Sequence, residues 1–292
     1  MALTAFAPAK VNLYLHVIGR RPDGYHLLDS LIAFADIGDC VTAEPAGTLS
    51  LSVSGPEAPG LADLGQANLV LRAARLLADH TGANCGAALH LEKTLPVAAG
   101  LGGGSSDAAA AFRVLAALWQ LSLGEEELRG LGVRLGADLP ACLYGRVAWL
   151  GGIGERLEPA LELPAAGILL ANPRRPLPTA AVFAARQGPF STPGRFDQMP
   201  TDAIGLAQAL VSRSNDLTDA AIALVPEIGA VLARLARLPG ALMARMSGSG
   251  ATCFALFSDR SAAEEARIPL AAAEPGWWCA AAGLVAGRGL CG

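Results

Sequence analysis

The stretch PVAAGLGGGSSDAAAAFRVLAAL, residues 96–118, limits what this chain can fold into more than any other. Glycine loses more conformational freedom on folding than any other residue. Yet four of them (Gly100, Gly102, Gly103 and Gly104) and two serines stand directly before a run of strong helix formers. Such a loop turns backbone N–H groups inward and feeds a helix N-terminus, where peptide dipoles leave partial positive charge. It reads as a phosphate cradle. The structural alternative is a tight strand-to-helix connection in which Ser105 or Ser106 caps the helix and Asp107 complements its dipole; four glycines and two hydroxyls are more than packing needs. Two common phosphate motifs are absent: no lysine follows the glycines as a P-loop requires, and Ser105 stands where the dinucleotide fingerprint needs glycine. Asp107 is discordant, because a carboxylate in the first helical turn repels phosphate unless it points outward or faces a metal.

With 292 residues, 52% of them apolar, the chain can bury a large core, and two units are expected, 1–160 and 161–292. The mean hydropathy of +0.41 comes mainly from alanine, and no apolar run approaches the ~18 residues of a membrane span. The opening MALTAFAPAKVN lacks the features of a secretory signal. A cytoplasmic protein with no membrane partner is therefore expected. A net charge of −4 leaves no broad basic field for nucleic acid. Six cysteines without a CxxC pair or a Cys/His cluster indicate reduced, mostly buried thiols rather than zinc ligands or disulfides. Twenty of the twenty-two cationic side chains are arginine. The two lysines, Lys10 and Lys93, thus mark places where a compact ammonium is wanted instead of a planar fork.

Alternation in KVNLYLHVIG predicts a half-buried strand with Lys10, Asn12, Tyr14 and His16 on its functional face. RRPDGYH supplies turn chemistry, and one or two further strands follow to residue 45. Short strands are expected at 49–53 and 87–91. A helix is bounded by Asn68 and Gly82, another runs from about Ser106 to Trp119, and a third starts at a Ser122-x-x-Glu125 capping box. A hairpin is expected around Gly151 and Gly152. Beyond it come strands at 167–171, 242–246 and 252–257 and helices near 203–212, 226–238 and 261–272, an α+β pattern. The tail GLVAGRGLCG is assigned nothing.

PVAAGLGGGSSDAA resembles the phosphate loop of the GHMP kinase superfamily, and PAKVNLYLHVIGRRPDGYH is similar to one branch of it, the 4-diphosphocytidyl-2-C-methyl-D-erythritol kinases. LGADLPACL (135–143), RPLPTAAVF (175–183), NDL (215–217) and SGSGATCFALF (247–257) match that branch in the same order. Ala98 and Ala99 depart from it, standing where the family often carries glycine. The resemblance implies an N-terminal domain like ribosomal protein S5, a C-terminal ferredoxin-like α+β domain, and an active site in the cleft between them. It implies transfer of the ATP γ-phosphate to a tertiary hydroxyl of the methylerythritol unit in the non-mevalonate route to isoprenoid precursors.

The roles that follow are those the resemblance implies. Asp138 is the base; by its residues alone it reads as the N-cap of a short helix with Pro140 early in it. Lys10 lies near the acceptor hydroxyl and steadies charge as the alkoxide develops. ATP is held by Pro96, Val97, Ala98, Ala99, Gly100, Leu101, Gly102, Gly103, Gly104, Ser105 and Ser106, with Asn68 and Lys93 on the adenosine side. Asn12 holds a substrate hydroxyl or orients the base. Tyr25 stacks on cytosine, His26 reads its edge, Phe183 closes the opposite face, and Thr179 touches the substrate near the transferring phosphate. SGSGAT shapes the cleft opposite the phosphate loop. Mg2+ accompanies ATP, yet no acidic pair marks a protein cage, so its ligands are expected to be phosphate oxygens and water, with Ser105 or Ser106 nearby. The oligomeric state stays open. Rival readings are a sister kinase for mevalonate, homoserine or a sugar, and a noncatalytic RNA-binding or scaffold protein on the S5-like fold.

Overall fold

Two long antiparallel strands organise the N-terminal half of the computed structural model, which describes residues 1–62, 65–82 and 85–285. β1 (Leu3–Arg20) and β2 (His26–Ala46) pair from Leu3↔Ala43 to Arg20↔His26 around the Pro-Asp-Gly turn. β2 is a single strand of 21 residues. It passes β1 so closely at Gly38 that a Cβ there would lie 2.1 Å from the Ala7 carbonyl oxygen. Its second edge is shared by three strands in turn. β5 (Ala148–Gly152) pairs with 28–32, β10 (Trp278–Val285) with Phe34 and Ala35, and β4 (Gly86–Glu92) with 40–46. β3 (Ser50–Ser54) lies parallel to β4, and β6 (Arg156–Pro159) closes the expected hairpin with β5.

β1 is not half-buried as its alternation suggests, since Val11, Leu13, Tyr14 and Val17 are all fully buried. A register shift between Asn12 and Tyr14 exchanges the strand's faces, because one extra residue reverses the side-chain alternation. Lys10 and Asn12, and beyond the shift Leu15, line a cleft. Tyr14 and His16 are thereby taken off the face that sequence alternation shares among all four. Tyr14 donates to Asp29 (2.7 Å), while His16 contacts the Thr192 carbonyl (2.8 Å) and accepts from the Ser214 amide.

α1 (Leu69–Thr81) is bounded as its sequence indicates: Asn68 Oδ1 accepts from the Val70 amide at 2.9 Å, and Gly82 ends the helix in the left-handed conformation. α2 (Gly103–Leu118) carries Ala108, Ala109, Ala110 and Ala111, all fully buried, whose small side chains let it lie against β1, β2 and α1. The Ser122 capping box does not form. α3 (Glu125–Val133) starts at Glu125 itself behind Gly124, so Ser122 lies outside the helix and three glutamates in the first turn complement its dipole instead. α4 (Leu139–Tyr144) follows.

In the C-terminal half the sheet order is β10, β7 (Gly167–Asn172), β9 (Cys253–Phe257), β8 (Met243–Met246), with every pairing antiparallel. In chain order this is fourth, first, third, second, the arrangement of a ferredoxin-like sheet. α5 (Thr179–Ala185), α6 (Ala203–Val211), α7 (Thr218–Leu224) and α8 (Glu227–Leu235) fill the connection between β7 and β8, and α9 (Arg260–Ala273) leads into β10. The sequence reading missed α5 and α7 as helices and β10 as a strand. Gly283, Leu284 and Val285 of the unassigned tail complete β10, and the rest of that tail lies outside the described residues. Pairing of Leu284 with Ala35 and Val285 with Phe34 joins the two sheets. Among the described residues no helix is long and apolar enough to cross a membrane.

Candidate active site

A cleft of about 1070 Å3 is lined by β1, the glycine loop, the start of α4, α5 and the turn at Gly248 and Ser249. The loop reaches it through a left-handed backbone at Ala98 (φ 53°), Gly100 (φ 74°) and Gly102 (φ 61°). At Gly100 a Cβ would meet the Ser247 and Gly250 carbonyl oxygens at 2.5 and 2.7 Å, and at Gly102 it would meet the Lys10 side chain at 3.2 Å. These glycines are required by close approach as well as by conformation. α2 starts three residues earlier than its sequence suggests. Its first amide to find a carbonyl is that of Ser106, bonded to Gly102 O at 2.8 Å. The Gly103, Gly104 and Ser105 amides are the helix's unsatisfied donors, and their residues line the cleft.

The earlier start also moves Asp107 into the second turn, where it is buried beneath the helix. Lys93 Nζ lies 2.9 Å from Asp107 Oδ2 and 2.5 Å from Asp39 Oδ2, all three groups being buried. Burial works against the Lys93 charge, but Asp107 and Asp39 outweigh it and hold its pKa above the ordinary lysine value. Burial also pushes the Asp107 carboxyl up to about 8, Asp39 adding to it and Lys93 opposing it. Among the described residues its Oδ1 has no hydrogen-bond partner. Lys93 thus sits under the loop, 3.1 Å from where a Gly103 Cβ would be, with its ammonium hydrogen-bonded to the Asp39 and Asp107 side chains.

Behind the loop the SGSGAT turn acts as a brace. Ser247 Oγ donates to Gly100 O (2.9 Å), the Thr252 amide donates to Ala99 O (3.1 Å), and Asn12 N donates to Ser247 Oγ (3.2 Å). Asn215, from the NDL motif, donates through Nδ2 to both Met246 O and Gly248 O at 2.8 Å. The turn therefore supports the glycine loop directly, from beside it, while Gly248 and Ser249 line the cleft.

On the cleft floor, Lys10 Nζ stands 2.9 Å from Asp138 Oδ1 and 3.2 Å from Asn12 Oδ1. Lys10 is buried, whereas the Asp138 side chain is 45% exposed and so open to a ligand. Asp138 precedes α4 at the N-cap position yet makes no cap hydrogen bond. Asn12 Nδ2 donates to Ser30 Oγ (2.9 Å), which fixes the amide so that its oxygen faces Lys10. At the other end of the cleft Tyr25 is exposed, and the His26 and Phe183 rings stack with centroids 5.3 Å apart. Thr179 Oγ1 shares a 2.8 Å hydrogen bond with Ser249 Oγ.

Residues 68–146 match the model of the GHMP kinases N terminal domain, and residues 201–273 that of the GHMP kinases C terminal domain. A 4-diphosphocytidyl-2-C-methyl-D-erythritol kinase of Paramagnetospirillum magneticum is 54% identical over 279 residues, 96% of this chain and 97% of that protein. The chain belongs to this kinase family. A crystal structure of a 4-(cytidine 5'-diphospho)-2C-methyl-D-erythritol kinase superposes with a TM-score of 0.80 at 36% identity, covering 98% of this chain and 100% of that one. A homoserine kinase from Cytophaga hutchinsonii shares the fold alone, with a TM-score of 0.72 at 16% identity over 98% of this chain and 95% of that one.

In this GHMP kinase nearly every residue singled out from sequence reaches the cleft wall, including Pro96, Val97, Asn68 and Thr179. Leu101 and Ser106 do not. The Leu101 side chain joins the core while its carbonyl accepts from Lys10 N (2.9 Å), and Ser106 Oγ, buried, donates to Pro8 O (2.7 Å) and Cys142 Sγ. Both act as struts: Leu101 anchors the loop in the core, and Ser106, on the sheet-facing side of α2, cannot also face the cleft. Asn68 caps α1 with its oxygen from within the lining. Sequence reasoning missed Asp39, Ser30 and Ser249. Asp39 carried one signal, a carboxylate inside the apolar run SLIAFADIGDCV, and Ser249 lay within the SGSGAT motif; Ser30 carried none.

Proposed function

We propose that the chain transfers the γ-phosphoryl group of ATP to the tertiary 2-hydroxyl of 4-diphosphocytidyl-2-C-methyl-D-erythritol, releasing ADP. The single observation that carries this reading is the Lys10–Asp138 pair, 2.9 Å apart, opening into the same cleft as the unsatisfied amides of α2. Phosphoryl transfer asks the protein for positioning and for stabilisation of spread negative charge. The Gly103, Gly104 and Ser105 amides take phosphate oxygens. Asp138 accepts the hydroxyl proton as the alcohol oxygen bonds to phosphorus and the bond to the ADP oxygen breaks. Lys10, fixed by Asn12, faces the charge that develops between them. Tyr25, His26 and Phe183 receive the cytosine, with the His26–Phe183 stack opening to admit it. The 1–160 half supplies the phosphate loop and the base, and the 161–292 half supplies Thr179 and Phe183.

The donors around the loop fit a Mg2+ ion held mainly by the nucleotide. Ser105 offers one hydroxyl at the cleft wall, Asp107 Oδ1 is sealed beneath α2, and among the described residues no three His, Cys, Asp or Glu side chains gather as a metal site. When bound, the ion neutralises phosphate charge.

ADP release measured with 4-diphosphocytidyl-2-C-methyl-D-erythritol, mevalonate and homoserine as acceptors tests the reading. ADP is expected with the cytidine compound. Phosphorylation of mevalonate with indifference to the cytidine compound overturns it.

A further inference from the structure

We infer that Arg20 and Arg186 form a diphosphate-binding rim at the acceptor end of the cleft and select for an acceptor carrying a nucleoside diphosphate. The inference rests on the reading that the aromatic end of the cleft receives the acceptor's base. Arg20 ends β1 directly opposite His26 in the ladder, and Arg186 ends α5 three residues after Phe183. Arg20 therefore comes from the strand paired with His26 and Arg186 from the end of the Phe183 helix, and both residues line the cleft beside the stacked rings.

Both guanidinium groups bond uncharged acceptors. Arg20 Nε donates to Gly24 O at 3.1 Å. Arg186 donates to Gly188 O (3.1 Å) and to Pro189 O, and it lies over the Phe190 ring. All these acceptors are uncharged. Among the described residues neither arginine pairs with a carboxylate, whereas Arg21, Arg174, Arg175 and Arg195 each do. Arg186 Nε is buried without a hydrogen-bond partner among the described residues. After burial, these same two cations are what lower the His26 pKa, so their charge is felt at the aromatic end. At the reacting end, by contrast, Lys10 is balanced by Asp138. Unbalanced positive charge thus sits beside the rings, where the diphosphate of a base-stacked acceptor lies next to its nucleoside. Guanidinium forks suit phosphate oxygens in charge and geometry.

The test measures binding of CDP and of cytidine, with KM for both substrates, in the wild-type protein, Arg20→Gln, Arg186→Gln and the double variant. Thermal melts confirm folding. Wild type is expected to bind CDP at least about tenfold more tightly than cytidine, the scale of a charge-assisted contact. In the double variant that ratio falls to about twofold or less, acceptor KM rises about tenfold, and ATP KM stays within about twofold. Arg186→Lys retains part of the preference. An unchanged CDP-to-cytidine ratio in folded variants, or a rise confined to ATP KM, overturns the arginine assignment and leaves the kinase reading standing. Wild type that binds neither CDP nor cytidine overturns the acceptor reading, and this inference with it.

Discussion

Lys10 Nζ and Asp138 Oδ1 meet at 2.9 Å although 128 positions separate them in the chain. The lysine is buried and pinned by Asn12; the carboxylate, which makes no helix cap, keeps an exposed side facing the cleft. One partner is thus fixed and the other open to a ligand, the arrangement a general base requires.

Asp138→Asn removes the proposed proton acceptor while preserving shape. Turnover is expected to fall by about 10²–10⁴, the usual contribution of a positioned base. ATP affinity, measured by nucleotide titration, is expected to change little, because the loop amides proposed to hold phosphate are untouched. Unchanged turnover removes Asp138 from the mechanism.

The buried Asp107 carboxyl, pushed up to about 8, makes stability depend on pH. Between the ordinary aspartate pKa of the unfolded chain, about 4, and about 8 in the folded protein, the folded state holds a proton that the unfolded state has lost. Stability from this group therefore declines as pH rises across that window. Asp107→Asn mimics the protonated acid without titrating. Its Tm relative to wild type is expected to climb between pH 5 and pH 8, and a flat difference across that range contradicts the assignment.

Gly100 and Ala98 share a left-handed backbone, but only Gly100 lacks room for a side chain. Gly100→Ala drives a Cβ into the Ser247 and Gly250 carbonyls, which must shift. A cost of about 2 kcal/mol or more, seen as a lower Tm, together with weaker ATP binding, is expected. Ala98→Gly removes a left-handed alanine, and a gain of up to about 1 kcal/mol is expected, the relief being partly offset by the freedom glycine adds to the unfolded chain. Denaturant melts of both variants give the comparison.

Phe183→Ala and Tyr25→Ala are expected to raise the acceptor KM by about tenfold through lost stacking area, with little effect on ATP KM. Both rings lie on the cleft wall, and Tyr25 is 60% exposed, so folding is expected to be retained. An effect confined to ATP refutes the placement of cytosine at this end.

The sequence by itself determined the glycine loop, the bounds of α1, the α+β class and the family, because glycine conformation, capping and hydrophobic period are local properties carried by neighbouring residues. Which loop residues face the ligand was decided elsewhere. Ser106 turns inward because α2 begins at Gly103 and packs against β1, Leu101 enters the core from the loop before it, and a register shift at Leu13 sends Tyr14 and His16 away from Lys10. The Asp39–Lys93–Asp107 cluster and the brace from Ser247 to Gly100 bring together side chains far apart in the chain. Such contacts leave no periodic trace, since burial and charge pairing depend on how the sheets and α2 are stacked, and only the tertiary structure sets that.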